Sequence, residues 1–405
     1  MRILVFCDED LSVGAGGSRQ VAELALGLQR LGHELRVVAP RLCSPIDRTT
    51  AYSQLELVQV PVLRRLGLRP LTFLALSGCI LFFQIVRWKP DVIVWFDSPG
   101  QWAPLLCHAL TCCPYVLFVN GLPDEEVAGL WQWQPLRAWL QAVLKAAARR
   151  ASAVVSICPE ILDRMQKEWG IPRAQSVTIR NGVDVEEFQP IDCAESRRQL
   201  GLETSGPYVG FVGGFFPWHH LDQLLDAIPG VLRSIPQARF LLVGDGETRT
   251  DLEAKVRTMG IESAVQFVGR VPFQSVPRWI AACDVCVVLH KATRSYPGDS
   301  MKLWEYLACS RLVVATAGPG YGDFVEAMGC GVAVKPDDHE DLARQIVRLL
   351  RDSEGCTTMG AKGRQAVMND HTWEKRAEQL ESIIQDCQAA HPRTKMKNAV
   401  RRGLT

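Results

Sequence analysis

Two doubly wound α/β domains, each a parallel sheet covered by helices on both faces and the two facing each other across a cleft, are predicted for this chain by three observations. Its 405 residues exceed what one hydrophobic core usually serves. Short runs rich in Val, Ile and Leu alternate with stretches of helical period. The plan that begins at "RILVFC" also starts afresh at "YVGFVGG", after a polar interruption.

The first run, "RILVFC", is a strand, too short before the acids of "DED" (Asp8 to Asp10) to read as a signal peptide. A helix from Ser18 follows, with Val21, Leu24, Leu28 and Leu31 on one side and Gly32 as its stop. Strand "ELRVVAP" comes next. Leu71 to Val86, "LTFLALSGCILFFQIV", resembles a membrane span but falls short of the ~20 residues a crossing helix needs. A buried helix is expected there, with a helix resting in one leaflet as the alternative. Strands "PDVIVWF", "YVLFVNG" and "ASAVVSI" complete the first domain.

Between the last two, "WQWQPLRAWLQAVLKAAARRA" reads as a helix with Leu136, Leu140, Val143 and Ala147 on one side and Arg137, Lys145 and Arg149 on another. Such a helix either packs with its basic face in water or lies on anionic lipid, aided by the basic tail "RTKMKNAVRR". "IDCAESRRQLGLETSGP" reads as a linker with a short helix. After it "YVGFVGG" leads into a helix with Leu221, Leu224, Leu225, Ile228 and Leu232 on one face, then strands "RFLLVGDGE", "VQFVGRV", "VCVVLH", "RLVVAT" and "GVAV". The expected division is 1–190 and 205–370, a helix over 371–390 packing back on the first domain, and a basic tail over 391–405.

With 45 basic against 44 acidic residues, no chain-wide field would hold nucleic acid. The 14 cysteines lack zinc or redox spacing, which fits a reducing cytosol. The loop "SVGAGGSRQ" departs from a dinucleotide fingerprint: Arg19 stands at the third glycine and strand two ends in Ala39-Pro40. Gly16 and Gly17 either let an anionic ligand approach the backbone or form a plain strand-to-helix turn.

In "GDSMKLWEYLACS", Asp299 or Ser300 suits a helix cap, and the first turn, Ser300 and Met301, offers free backbone N–H groups to a phosphate. Lys302 adds charge, and Glu305 one turn on can accept both hydroxyls of a ribose. A solvated i,i+3 ion pair is the plainer account of the same spacing.

The succession "GFVGGFFPWHHLDQLLDAI", "FLLVGDGE", "VQFVGRV" and "KLWEYLACSRLVVAT", with "IRNGVDVEEFQP" and "HTWEKRAEQLESII", resembles glycosyltransferase family 4 over nearly the whole chain. The resemblance implies a GT-B fold of two Rossmann-like domains, a nucleotide-sugar donor (UDP- or GDP-linked) held mainly by the second and a glycan or lipid-linked acceptor held mainly by the first. It implies retaining transfer with no cofactor and no bound metal. By position Glu305 matches the ribose-binding glutamate. Lys302 matches a lysine found in a subset of members. Gly244, Asp245 and Gly246, with Arg270 and Val271, match loops near the nucleotide, and Gly16 and Gly17 match the loop near the diphosphate and the acceptor.

Departures from the family pattern shift the catalytic candidates. Gly214 and His219 stand at the usual arginine and lysine, Pro297 at the first of two glutamates, and Asn120 at a histidine. His219 and Lys302 are then expected to donate to the leaving diphosphate, with activity falling as His219 loses its proton, and Arg294 to replace the arginine. Asn120 either orients a hydroxyl or bonds its own loop. Asp97, Glu125 and Glu126 are the nearest carboxylates. Asp8 to Asp10 as a metal motif, and His219-His220 as a metal pair, are weaker than a surface turn and a chance adjacency. A non-catalytic nucleotide-sugar-binding relative, or an epimerase of the same architecture, are the alternatives.

Overall fold

The computed structural model describes residues 1–12, 14, 16–44, 51–65, 68–122, 134–291, 298–318 and 320–390. They form two compact units, Met1–Asn181 with the C-terminal helix Trp373–Ala390, and Gly182–Thr372. Arg294 and Pro297, Glu125 and Glu126, and the basic tail lie outside the described residues.

The first unit runs β1 (Arg2–Phe6), α1 (Gly16–Arg30), β2 (Glu34–Pro40), β3 (Leu57–Val60), α2 (Arg69–Trp88), β4 (Val92–Phe96), α3 (Ala103–Thr111), β5 (Tyr115–Val119), α4 (Gln134–Arg150), β6 (Ala153–Ser156), α5 (Pro159–Trp169) and β7 (Ser176–Thr178). Its seven strands are parallel in the order β3-β2-β1-β4-β5-β6-β7. Strands apolar on both faces end up buried on both faces, as β4 and β5 are throughout. The Tyr115 hydroxyl donates to the Ala147 carbonyl at 2.6 Å, fixing α4 to the sheet.

Two expectations for this unit need correction. The apolar stretch after Arg69 is a 20-residue helix, and it is not a buried one. Its fully buried stripe is Phe73, Ser77, Leu81, Ile85 and Trp88, while Leu71, Leu76, Phe82, Phe83 and Val86 are exposed. Helix α4 packs through Leu140, Leu144, Ala147 and Ala148. Its Arg137 and Lys145 are half-buried, and Arg149 donates to the Trp169 carbonyl at 2.9 Å, so the basic face is partly spent on the fold.

The second unit runs α6 (Cys193–Gln199), β8 (Tyr208–Val212), α7 (Leu221–Ser234), β9 (Arg239–Val243), α8 (Arg249–Met259), β10 (Val265–Gly269), α9 (Val276–Ala281), β11 (Val285–Val288), α10 (Met301–Ala308), β12 (Leu312–Thr316), α11 (Gly322–Ala327), β13 (Gly331–Val334), α12 (His339–Arg351) and α13 (Ser353–Asp370). Its sheet is parallel in the order β10-β9-β8-β11-β12-β13.

The polar stretch read as a linker belongs to this unit. Asp192 caps α6 by accepting from Glu195 N at 2.8 Å, and buried Arg197 donates to the Ala282 carbonyl at 2.9 Å and to Asp284 at 2.6 Å. The division therefore falls at Asn181, not beyond 190. The last helix, α14 (Trp373–Ala390), lies on α1 of the first unit, where Gly27 leaves room for Ala377 and Glu381 meets His33 at 2.8 Å.

Candidate functional site

In the second sheet the strand order reverses between β8 and β11, and a ligand is expected beyond the carboxyl ends of those strands. Glycines let two strand-end loops touch there through bare backbone. Gly213 N donates to the Val243 carbonyl at 2.9 Å and Phe215 N to the Asp245 carbonyl at 3.0 Å. Gly244 sits at φ 131°, and a methyl group on it would collide with the Gly213 carbonyl. One on Gly246 would collide with the backbone of Phe215.

Asp245 shapes this turn by accepting from Gly246 N at 2.9 Å, with Arg249 and Arg270 each 3.9 Å away. The Arg270 side chain is 82% exposed and so can swing. Val271, half-buried, packs against the core around Phe188 and Trp279.

Helix α10 brings its first turn to the same place because two aromatic residues anchor it. The Tyr306 hydroxyl donates to the Val212 carbonyl at 3.1 Å and accepts from Val212 N at 2.8 Å, tying the helix to the end of β8. Trp304 donates to Asp299 at 3.3 Å and stacks on His371 at 3.9 Å. Ser300 occupies the cap position but makes no side-chain cap bond, which corrects the capping expectation for its hydroxyl. Met301 opens the helix, half-buried.

Lys302 points from this turn toward His219, its Nζ 3.0 Å from Nε2 and 5.4 Å from the centre of the Phe211 ring. A methyl group on Gly213 would sit 2.8 Å from Lys302 Cδ, so this glycine clears the lysine stem. Burial pulls the Lys302 ammonium down from 10.5 to about 8, and the Glu305 carboxylate opposes that fall. The lysine and glutamate thus share one face, with Glu305 half-buried.

His219 lies beside this lysine. Its Nδ1–H donates to the Gly214 carbonyl at 2.6 Å, which leaves Nε2 to accept from Lys302. In that arrangement the ring holds the lysine in place. His220 turns elsewhere, with Nε2 3.2 Å from Asp337, so the two histidines do not converge on one ion. Among the described residues no group of three or more His, Cys, Asp or Glu is arranged to hold a metal. A hollow of about 680 Å³ between α7 and α12, lined by Arg233 and His339, shares no residue with this site.

In the first unit, the space beside Gly17 is filled by Glu9, with which a methyl group on Gly17 would collide, while Gly16 stays open. Burial raises Asp8 to about 7 despite Arg69 at 3.1 Å, and burial raises Glu9 as well. Asp10 is held near 2: burial pushes it up, but hydrogen bonds from Cys43, Ser12 and Arg64 outweigh that. The "DED" turn is therefore an internal network and not a surface turn. Asp97 follows β4.

Asn120, after β5, belongs to a chain of amides. Its Nδ2 donates to Gln20 Oε1 at 2.6 Å, and Gln20 Nε2 donates to Asn181 Oδ1 at 3.0 Å. The order of donors fixes the Asn120 amide, whose Oδ1 is buried without a hydrogen-bond partner among the described residues. Gln20, Asn181, Gly213 and Tyr306 were not singled out from the sequence. The glycine doublet of "FVGGFF" and the tyrosine of "WEY" were signals for two of them.

Two family models match the chain: Glycosyltransferase Family 4 over residues 14–187 and Glycosyl transferases group 1 over residues 206–352. The chain is 29% identical over 311 residues to a GDP-mannose-dependent monoacylated alpha-(1-6)-phosphatidylinositol monomannoside mannosyltransferase of Corynebacterium glutamicum, covering 75% of this chain and 78% of the relative. A GDP-mannose-dependent alpha-(1-6)-phosphatidylinositol monomannoside mannosyltransferase of Mycolicibacterium smegmatis is 24% identical over 393 residues, covering 94% and 98%. Among solved structures, sucrose-phosphate synthase from Thermosynechococcus elongatus matches with a TM-score of 0.78 at 21% identity, covering 96% of this chain and 100% of that one.

Proposed function

The chain belongs to glycosyltransferase family 4, with the GT-B fold, and on that premise we propose that it moves a sugar from a UDP- or GDP-linked donor to a lipid-linked or polysaccharide acceptor, with retention and without a metal. The observation that carries the donor half is the convergence of Lys302, the first turn of α10 and Glu305 at the carboxyl end of β8. An ammonium beside free helix N–H groups suits a diphosphate, and a carboxylate one turn away suits a ribose.

As the sugar–phosphate bond breaks, negative charge gathers on the departing diphosphate, and preorganised donors there lower the barrier. Lys302 supplies the charge in place of a metal, and His219 holds its Nζ in line. Asn120 Oδ1 accepts from a sugar or acceptor hydroxyl in the first unit. With retention, the leaving phosphate takes the acceptor proton, so no carboxylate base is required. The named substrates of the two relatives make GDP-mannose the first donor and a phosphatidylinositol mannoside the first acceptor to try. Such an acceptor places the protein on the cytoplasmic face of a membrane, in peripheral contact with it.

The test is incubation of the purified protein with GDP-mannose or UDP-glucose and lipid acceptor, with and without EDTA, reading nucleotide release and the anomeric configuration of the product by NMR. Transfer with retention, undiminished by EDTA and slowed about 10²- to 10³-fold in Lys302→Met, is expected. No release of nucleotide from either donor, or transfer that EDTA stops, would count against the proposal.

A further inference from the structure

We propose that the outward face of α2, continued by α3, is the surface on which this protein docks on an anionic phospholipid bilayer; this rests on the membrane reading above and names its surface. The outward stripe of α2 is Leu71, Ala75, Cys79, Phe82, Phe83 and Val86, all exposed and spaced as one side of a helix. Leu71 and Phe83 are each 55% exposed. Helix α3 packs beside α2 and adds exposed Leu106 and Leu110. A helix on the surface of a globular protein ordinarily turns polar residues outward, and a continuous apolar face marks an interaction site.

The charges choose the occupant. Between Arg69 and Arg87 helix α2 carries no charged residue, and neither α2 nor α3 contains an acid. Exposed Arg65 stands before the face, with Arg87 and Lys89 at its far end. Arg87 also covers the Phe83 ring at 5.6 Å. In a two-fold pairing with a second copy, the same patch would meet itself, and the cations of this frame would find no acid on α2 or α3, the nearest exposed ones, Glu34 and Glu56, lying by Trp88 and already paired with Arg2 and Arg36. Anionic headgroups complement it, while the aliphatic and aromatic face enters the acyl boundary.

The helix is long enough to span a membrane, but its place in the fold argues for lying flat. Its inner stripe is buried against the protein, Arg69 holds Asp8 at 3.1 Å, and the Trp88 indole donates to Glu34 at 3.2 Å. The pairing with Asp8 also sets the start of α2 at the edge where β1 ends. A headgroup leaving the bilayer there would arrive at the ligand-binding edge of the first sheet.

Flotation of the full chain with phosphatidylcholine vesicles, with and without phosphatidylglycerol, tests this. The wild type is expected to float with anionic vesicles and less with neutral ones. The double variant Phe82→Glu/Phe83→Glu should partition at least about tenfold more weakly. Circular-dichroism melting checks its fold, and the single Phe83→Gln serves if the double variant melts early. Protein that stays in the soluble fraction with both vesicles would overturn the proposal. So would a folded variant that floats like wild type, or sedimentation showing a wild-type dimer that the variant breaks. These vesicles contain no glycan acceptor, so flotation reads docking alone. Transfer to a detergent-dispersed lipid acceptor without flotation would sink the docking surface and leave the acceptor reading standing, and flotation with transfer only to water-soluble acceptors would do the reverse.

Discussion

The two units share the order of six parallel strands, the first adding β7 as a seventh, yet the edges of their sheets carry opposite chemistry. Beyond β8 the second unit gathers a lysine, a helix N-terminus and bare glycine backbone. Beyond β1 the first unit places Asp8, Glu9 and Asp10, with Arg64 and Arg69 paired to two of them, and a row of amides ending at Asn120. On the proposed function, the edge beyond β8 takes an anion and the edge beyond β1 a ligand rich in hydroxyls. A repeated fold therefore does not mean a repeated ligand: the loops set the chemistry.

Removing the cation should separate the two edges most sharply. We expect Lys302→Met to lower kcat/KM by about 10² to 10³, as loss of a preorganised donor to a leaving oxyanion does. The same variant should not lower the melting temperature of the ligand-free protein, because it removes a charge that the fold desolvates. A clear drop in melting temperature would mean that the lysine serves structure.

Lys302 also sets a pH dependence. Its folded pKa of about 8 lies below its ordinary 10.5, so between these values the unfolded chain binds more protons. Stability of the ligand-free protein should therefore rise from about pH 8 to 10.5 while kcat/KM falls as the ammonium is lost. A profile that falls near the ordinary histidine range would return the role to His219.

Glu305→Ala should raise the donor KM about 10- to 100-fold, the scale of charged hydrogen bonds to two hydroxyls. At the other edge, Asn120→Ala or Gln20→Leu should raise the acceptor KM about tenfold and leave nucleotide affinity unchanged. If either weakens nucleotide binding equally, the contrast between the edges fails. The smallest effect belongs to Arg270→Ala, within about twofold on the donor KM, because its side chain is largely exposed and 3.9 Å from Asp245.

The strands were legible because β1, β4, β5 and the core strands of the second sheet are short apolar runs between turns. β3 and β7, "LVQV" and "SVT", are the short edge strands of the first sheet, mostly half-exposed, and so lack the continuous apolar run of the central strands. The pair Lys302 and Glu305 was legible because both lie in one turn after a strand. The partnership of Lys302 with His219 was not, since 83 residues separate them and only the packing of α10 on β8 brings them together. For the same reason Arg197, 87 residues from Asp284, read as linker. The exposed face of α2 was not legible because an apolar run does not say which of its residues the fold covers.

The most direct test is calorimetric titration of GDP and UDP near pH 8.5, in buffers of different ionisation enthalpy, on wild type and Lys302→Met. A diphosphate beside Lys302 should raise its pKa, so binding should take up protons in the wild type and be weak, without uptake, in the variant. Equal affinity and no proton uptake in both would place the nucleotide elsewhere and contradict the account.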